Sequence, residues 1–285
     1  MKRVTDHLPL QKQTEINTIA EIIRNVVNPE MIILFGSYAK GTYVEHRYKD
    51  KEGTHFEYIS DYDFLVVTKD NPEKADVQEN VIINRTEMID PSVNLEIHDI
   101  NYINKGLEIG EYFFADIVKE GVLLYDKGSV QFAEARELTA LEKKEKAQRY
   151  FDTWFSQMRG FINASKFAAA DSNIKIAAFL LHQASECGYY AVLLVFTDYK
   201  PKTHNLWKLR KKAKPYSQEL FSTFRAETDR YEKHLFDLLK RGYIDARYRN
   251  DYDITADEFD ILNKRVETLR SVIEKICKEK IDSFF

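Results

Sequence analysis

The chain has 285 residues, 44% of them hydrophobic and 31% charged, with a net charge of −4, a composition that allows ordinary cores and favours a soluble protein. It has no apolar run long enough to span a membrane, no apolar core near the N-terminus typical of a signal peptide, and only two isolated cysteines, Cys187 and Cys277. We therefore expect a cytoplasmic protein without a membrane partner, a disulfide framework or a zinc site.

Helices and short strands alternate in the first half of the chain. Isoleucines recur at helical spacing up to a break at Asn28-Pro29. The segments that follow are, in chain order, strands at 31–35 and 63–67, a helix at 74–89, a strand at 92–100, a helix at 111–121 and a strand at 122–126. Such a mixture indicates an α+β domain with a mixed sheet, which we place at residues 1–128.

The strand pattern stops at the expected linker, residues 126–131, and long helical periodicities follow. Helices are predicted at 140–170, 174–197, 217–243 and 256–283. Thr255, with Glu258 three residues later, forms the pattern of a capping box. Long helices with short connections indicate an all-α up-and-down helical bundle at residues 129–285.

The charge is divided unevenly between the halves. Residues 1–130 carry a net charge of −9 and residues 131–285 one of +5. A basic half favours an anionic ligand, and opposite charges favour attraction between the halves, but unevenly spread surface charge is an equally good explanation.

Two carboxylates mark the beginning of the strand at 63–67. Asp61 and Asp63 are two residues apart, so on a strand they share one face and repel each other unless a proton or a cation lies nearby. Oxygen ligands at the rim of a sheet suit Mg²⁺, which leaves much of its shell to water and phosphates. Glu96, on the polar face of a neighbouring strand, would complete a two-metal site. Each acid taken alone is more often a solvated residue or a turn cap.

The first strand ends in Gly36-Ser37 and leads into a short helix. Backbone N–H groups at a helix N-terminus bind phosphate, and glycine lets the phosphate approach closely. Ser37 adds a hydroxyl, and Lys40 follows on the same turn. Alone the segment could be an ordinary turn. Together with the carboxylates it predicts that the turn holds a nucleoside triphosphate and that metal ions bridge its phosphates.

The motifs LFGSYAKG, SDYDFLVV and NLEIHD, in this order, resemble the signature of the nucleotidyltransferase superfamily. The resemblance is greatest to its small MNT branch, which is related in fold to DNA polymerase beta and kanamycin nucleotidyltransferase, and it covers residues 15–127. It implies nucleotide binding by the glycine and serine of the turn. It also implies that Mg²⁺, as two ions, is bound by Asp61, Asp63 and Glu96, with Glu96 as general base.

The segment between Ser37 and Asp61 is 23 residues long, which is more than in most members of that superfamily. Its insertion at residues 44–58 is either an extended hairpin over the site or a solvated loop. As a hairpin it would allow Arg47, Lys49 or Lys51 to reach phosphate.

The helical half contains LLHQASECGYYAVLLV, KPKTHNLWKLRKKAK and YIDARYRNDYDIT, which resemble the HEPN domain over residues 140–282. HEPN RNases pair an Arg with a His after a short polar spacer. Arg247 would be that Arg, but no His follows at the required spacing, so RNA is not an expected partner. HEPN domains without the His are thought to bind nucleotides or other ligands, or to pair subunits. We therefore predict a ligand site at His204, Arg247 and Tyr248, and a homodimer through the bundle.

Other polar residues of the bundle have two interpretations each. His182 and Glu186, one helical turn apart, either line a cleft or form a hydrogen-bonded pair in the interior. The basic run at residues 208–214 either meets phosphate or RNA or is a solvated face.

The sequence thus predicts a Mg²⁺-dependent nucleotidyltransferase that moves an NMP, with ATP as the first choice of substrate, to a hydroxyl of a small molecule. Two alternatives remain. One is transfer to a protein hydroxyl, as in toxin–antitoxin pairs in which an MNT enzyme adenylylates its HEPN partner. The other is a non-catalytic nucleotide-binding module, which would have no need for three mutually repelling acids.

Overall fold

The computed structural model describes residues 4–49, 55–69, 75–201 and 203–284, with the backbone alone at 46–49 and 55–58. The chain divides into two compact units, Met1–Glu137 and Leu138–Phe285. The first is an α+β unit with a mixed sheet and the second is helical, as the sequence predicts.

The first unit is built on a sheet in the order β5-β4-β1-β6, in which β4 and β5 are parallel and the other pairs antiparallel. Its elements are α1 (Leu10–Val27), β1 (Met31–Phe35), α2 (Gly36–Lys40), β2 (Glu45–Lys49), β3 (His55–Ile59), β4 (Tyr62–Thr68), α3 (Ala75–Arg85), β5 (Val93–Asp99), α4 (Ile100–Glu108), α5 (Tyr112–Glu120) and β6 (Val122–Asp126).

Both faces of the central strands are covered, which explains why β1 and β4 are continuous apolar runs rather than alternating ones. Leu34 and Phe64 belong to the core that includes the inner face of α1. Ile33 and Leu65 point to the opposite face and are also fully buried. Two-sided burial fixes the register, because a slip by one residue would exchange the faces and bring Asp63 into the core.

The first unit continues past residue 128, the boundary expected from composition. Ser129 donates its hydroxyl hydrogen to the carboxylate of Glu30, which lowers the pKa of Glu30. Further along, the backbone N–H of Ala133 donates to Asn104 Oδ1 at 2.8 Å. These contacts attach the segment that leaves β6 to the sheet and to α4.

The backbone of the insertion forms a two-stranded antiparallel hairpin of β2 and β3, with Glu45 opposite Ile59. The described part of the insertion is therefore paired as a hairpin and is not an irregular loop, while the expectation that this hairpin lies over the site stays a prediction. Its base is tied to α1, because Lys12 Nζ lies 2.6 Å from Glu45 Oε1. The expected phosphate contacts of Arg47, Lys49 and Lys51 lie outside the described side chains.

The helical unit contains three long helices and several short ones. Its elements are α6 (Ala140–Ala170), α7 (Ile174–Thr197), α8 (Leu206–Ala213), a 3₁₀ turn (Lys214–Tyr216), α9 (Gln218–Ser222), α10 (Arg230–Arg241), α11 (Asp245–Tyr248) and α12 (Ala256–Asp282). The capping box at Thr255 and Glu258 is confirmed. Within the described ranges, no helix combines the length and apolar character that a bilayer crossing requires.

The single helix predicted at residues 217–243 is wrong, because the structure has α9 and α10 there, separated by residues 223–229. Asp229 begins α10 as its N-cap, accepting hydrogen bonds from the N–H groups of Tyr231 and Glu232. An N-cap residue has a non-helical backbone, so it separates two helices even where apolar periodicity continues through it.

Arg210 of α8 fixes the connection between α9 and α10. Its side chain is 1% exposed, and its guanidinium donates to the carbonyls of Phe221 and Phe224 and to the carboxylate of Glu227. A guanidinium at this depth is tolerated only because carbonyls and a carboxylate replace its hydration shell. The basic run at 208–214 is therefore not uniformly a solvated face.

We expect Arg210→Met to destabilise the helical unit by about 3 kcal/mol, because it leaves buried carbonyls without a donor and Glu227 without its partner. Both tryptophans, Trp154 and Trp207, lie in this unit, so urea unfolding followed by tryptophan fluorescence reports on it.

Lys278→Met is the matched control for Arg210→Met. Lys278 is 59% exposed and pairs with Glu274 on the helix surface, so its loss should cost less than about 0.5 kcal/mol. Equal effects of the two substitutions would contradict a structural role for Arg210.

Candidate functional site

The turn after β1 begins at Gly36, whose φ of +72° lies in the left-handed region. This conformation reverses the chain sharply into α2, and glycine adopts it without the strain that a Cβ imposes. Gly41 ends α2 with a φ of +77°, and its N–H contacts the carbonyl of Ser37. The first residues of the short helix thus present backbone N–H groups at the end of β1.

The register of β1 and β4 brings this turn to the carboxylates. Phe35, the last residue of β1, lies opposite Asp63, so Gly36 follows directly beside the Asp63 side chain. A Cβ at Gly36 would collide with Asp63 Oδ2. Glycine is therefore required here for two independent reasons, its backbone conformation and the space that Asp63 fills.

Each of the two aspartates has a hydrogen-bond donor on or just before β5. Ser92 Oγ donates to Asp61 Oδ1 at 2.6 Å, and Asn94 Nδ2 donates to Asp63 Oδ1 at 2.8 Å. Both aspartates are partly exposed, and both lie on the same face at the start of β4. The donors offset part of the repulsion between two carboxylates in this position.

Glu96 lies deeper in the sheet than the two aspartates. It is opposite Leu65, whereas Asn94 is the residue opposite Asp63. Glu96 is 7% exposed, and its Oε2 lies 3.1 Å from His98 Nε2. His98 in turn stacks on Tyr102 of α4, at 5.1 Å between ring centroids.

Lys40, expected to bind phosphate, forms an ion pair with Glu120 at the end of α5, at 2.5 Å. Both side chains are about half exposed. The pair joins the end of α2 to α5, so phosphate binding by Lys40 would require it to leave Glu120. Such an exchange costs little for a surface pair.

Tyr38 of α2 packs in an aromatic cluster with Tyr43 and Tyr62. Tyr38 stacks on Tyr43 at 4.3 Å between centroids, and Tyr62 donates to Glu15 of α1 at 2.5 Å. Burial, with nearby carboxylates, raises the pKa of Tyr38 and Tyr62. Sequence analysis missed this cluster, although Tyr38 lies within the motif LFGSYAKG and Tyr62 within SDYDFLVV.

In the helical unit, His204 and Arg247 contact the same ring. The centroid of Tyr243 lies 4.8 Å from the His204 ring and 4.9 Å from Arg247 Cζ. Arg247 also donates from Nε to the Tyr243 carbonyl at 2.7 Å. Tyr248, 74% exposed, has its ring 4.9 Å from Arg247 Cζ. The structure therefore brings together the three residues of the predicted ligand site, with Tyr243 as a central residue that sequence analysis missed.

His204 is oriented from the interior by Glu186. Its Nδ1 lies 2.5 Å from Glu186 Oε1, and the side chains are 58% and 4% exposed respectively. Because an ionised carboxylate only accepts hydrogen bonds, this contact places a proton on Nδ1 and leaves Nε2 for another partner. Tyr190 also donates to Glu186, at 2.8 Å.

His182 belongs to the interior. It is fully buried, its Nδ1 lies 3.1 Å from the Leu239 carbonyl, and burial lowers its pKa. His182 and Glu186 therefore both lie in the interior of the bundle and do not line a cleft. Glu186 also contacts the half-exposed His204.

Family comparisons divide the chain as the fold does. The model of the HEPN domain matches residues 135–278, which is half of the chain. The chain belongs to the HEPN family. The model described as "Polymerase beta, Nucleotidyltransferase" matches residues 17–129, in front of the HEPN domain. No curated protein matches the chain.

The nucleotidyltransferase domain of this HEPN protein contains the turn and both aspartates, and a domain of this kind indicates nucleotidyltransferase-type activity. The resemblance implies divalent cations held by carboxylates. Asp61 and Asp63 carry the hard oxygen atoms that such cations prefer, and Asp63 lies beside the turn at Gly36. Within the described residues, no three His, Cys, Asp or Glu side chains form a group that could hold a metal, so a site made of all three acids stays a prediction.

We expect Gly36→Ala to abolish nucleotide binding to the first unit, because the added methyl group collides with Asp63 and strains the turn. The measurement is a titration of purified protein with a fluorescent ATP analogue in Mg²⁺.

Gly41→Ala is the matched control for Gly36→Ala. It imposes the same left-handed strain on α2, but its Cβ would only touch His7, at 3.3 Å. We expect it to lower stability slightly and to keep most of the nucleotide affinity. Equal loss of binding in both variants would show that strain in α2, and not the approach to Asp63, is decisive.

Proposed function

We propose that this protein is a Mg²⁺-dependent nucleotidyltransferase that moves an NMP, most simply AMP from ATP, to a hydroxyl acceptor with release of pyrophosphate. The observation that carries the proposal is the approach of the Gly36 turn to Asp63. Asp61, two residues before Asp63 and just before β4, is the second carboxylate. A phosphate-binding turn and a pair of carboxylates adjoin at one end of β1 and β4, where a triphosphate and its cation would meet.

The reaction proposed is an in-line substitution at the α-phosphorus. The acceptor oxygen forms a bond to phosphorus, the bond to the bridging oxygen of pyrophosphate breaks, and the acceptor proton passes to a base. When bound, Mg²⁺ supplies charge neutralisation for the phosphate oxygens. The chain's own part is to orient the triphosphate on the N–H groups after Gly36 and to hold the cation with Asp61 and Asp63.

Glu96 is the carboxylate that we propose for the acceptor proton. It lies on the same face of the sheet as Asp63, two residues beyond Asn94 on β5. Its contact with His98 provides a second group over which a proton can be shared.

The acceptor that we propose first is a small hydroxylated molecule. The alternative of a protein hydroxyl is favoured by one observation, the exposure of Tyr248 beside Arg247. For the helical unit we propose an anionic ligand that binds between Arg247 and His204. Arg247 is always charged, and His204 has its Nε2 on the side of the ring away from Glu186.

We expect Asp63→Asn to reduce transfer of label from α-labelled ATP by at least about 100-fold, because it removes a charge that holds the cation at the reacting phosphate. Asp61→Asn should have an effect of the same order. Purified protein is incubated with Mg²⁺ and desalted cell extract, and the label is followed into small-molecule, protein and RNA fractions.

Asp76→Asn is the control for the two carboxylate variants, since it makes the same change of charge at an exposed position of α3. Transfer equal in all four proteins would exclude the proposed site. Binding of ATP without transfer by any of them would leave the non-catalytic nucleotide-binding module.

We expect the intact mass of the protein to stay unchanged after incubation with ATP and Mg²⁺, because a small molecule is the first-choice acceptor. A gain of one AMP that is lost in Tyr248→Phe would overturn this choice in favour of self-modification. Tyr231→Phe, at a tyrosine that is 51% exposed, is the control for non-specific labelling.

A further inference from the structure

Lys12 of α1 is a cation with little access to solvent. It is the third residue of that helix, and its side chain is 11% exposed. Its Nζ lies 2.6 Å from Oε1 of Glu45, at the base of the hairpin, and 3.5 Å from Oε2 of Glu15, one turn along α1. An ammonium group at this depth is stable only where other groups replace its hydration shell, and here two carboxylates do so. Lys12 therefore joins the first helix to the hairpin.

Each of the two carboxylates also accepts a hydrogen bond from a tyrosine. Tyr62 donates to Glu15 Oε2 at 2.5 Å, and Tyr38 donates to Glu45 Oε1 at 3.2 Å. Both tyrosines are fully buried, with 4.4 Å between their ring centroids. The Lys12 ammonium lies 5.7 Å from the Tyr62 centroid and 6.0 Å from the Tyr38 centroid, so it also interacts with both rings. These five side chains form what we call the Lys12 cluster.

The two tyrosines of the Lys12 cluster are neighbours of the candidate site in the sequence. Tyr38 follows Ser37 in α2, and Tyr62 is the first residue of β4, directly before Asp63. Because successive side chains of a strand point to opposite faces, Tyr62 holds the start of β4 from the face opposite to Asp63. Tyr38 likewise fixes α2 from its buried side. The cluster thus attaches the two segments that carry the turn and the aspartates to one ammonium group.

The hairpin is the covalent connection between these two segments. At its base the N–H of Ser60 donates to the carbonyl of Val44 at 2.9 Å, and the N–H of Val44 donates to Ser60 Oγ at 3.0 Å. Glu45, which follows Val44, is the point where the hairpin meets Lys12. The same carboxylate accepts from Tyr38, so the hairpin, α1 and α2 are joined at one side chain.

From these contacts we infer that Lys12 is a positioning residue for the candidate nucleotide site, acting through Glu45 and Glu15. The inference rests on the proposed function. The role of Lys12 is to keep α2 and the start of β4 in the relative position that puts Gly36 beside Asp63. Without the ammonium group the two carboxylates lose their counter-charge, and their repulsion would separate the base of the hairpin from α1.

The test uses Lys12→Met and Lys12→Arg in the full-length protein, titrated with a fluorescent ATP analogue in Mg²⁺. Met keeps the apolar stem without the charge. We expect it to weaken binding of the analogue about tenfold, because a small displacement of the turn from the carboxylates spoils the geometry that a triphosphate requires. Arg keeps the charge, and we expect it to bind the analogue better than the Met variant does. A side chain that only filled space would give the opposite order, since Met is closer to Lys in volume than Arg is.

Lys105→Met is the matched control, because it removes the same charge from an exposed position of α4 in the same unit. It measures how much of any loss comes from weaker long-range attraction of the anionic nucleotide, and we expect little change. Glu45→Gln completes a double-variant cycle. Binding by Lys12→Met/Glu45→Gln should be no weaker than binding by Lys12→Met alone, because both substitutions break the same contact.

Circular dichroism melting shows at which temperatures each variant is folded, and all titrations are made there. If Lys12→Met does not fold, Tyr38→Phe supplies the answer. It removes only the hydroxyl that donates to Glu45, and we expect it to weaken binding about threefold.

Unchanged affinity in Lys12→Met, or in Tyr38→Phe where that variant has to replace it, would overturn the positioning role and leave the proposed function intact. An equal loss in Lys105→Met would do the same. Stronger binding by the Met variant than by the Arg variant would make Lys12 a packing residue and overturn the inference as well. No binding of the analogue by the wild type would refute the proposed function and, with it, the inference.

Discussion

The antiparallel register of β1 and β4 is the constraint on which the first unit depends. It places Phe35 opposite Asp63, so the next residue, Gly36, lies where an added Cβ would collide with the Asp63 carboxylate. Only glycine fits that space and that backbone conformation. The register is itself held by burial, because both strands are covered on both faces and a shift by one residue would move Asp63 into the core. Core packing and the geometry of the turn at Gly36 thus depend on the same strand register.

In both units the candidate site residues are hydrogen-bonded to neighbouring polar side chains. In the first, donors on β5 orient the aspartates while Glu96 and His98 pair deeper in the same face. In the second, Glu186 is almost fully buried on α7 and holds the half-exposed His204. α7 is apolar nearly all round, so a carboxylate there is tolerated only with partners such as Tyr190 and His204. In each unit a strand or helix carries the residue that donates or accepts the orienting hydrogen bond, and the oriented side chain is partly exposed to solvent.

Much of this arrangement follows from local sequence patterns. β1 and β4 are apolar runs, β5 alternates between apolar and polar residues, and α6, α7 and α12 have sustained helical periodicity, so their positions were predictable. The break between α9 and α10 was not, because the apolar spacing continues through it. The helices are separated by the N-cap Asp229 and by the guanidinium of Arg210, which donates hydrogen bonds to the carbonyls of Phe221 and Phe224. Arg210 itself was not predictable as a buried residue, because it lies in a run of lysines whose side chains are only half-buried.

The sequence by itself determined the two-part organisation, the succession of the four strands of the central sheet along the chain, and the positions of the turn and of the aspartate pair, since each depends on residues close together along the chain. Tertiary structure alone decided which side chain of β5 lies beside Asp63. Asn94 and Glu96 both occupy the polar face of one alternating strand, and periodicity cannot distinguish two residues of equal phase. The register between β4 and β5 places Asn94, and not Glu96, opposite Asp63. These two residues are 31 positions apart in the sequence and are joined by a hydrogen bond. The same holds for Tyr243, which becomes a shared contact of His204 and Arg247 only when helices distant in sequence pack together.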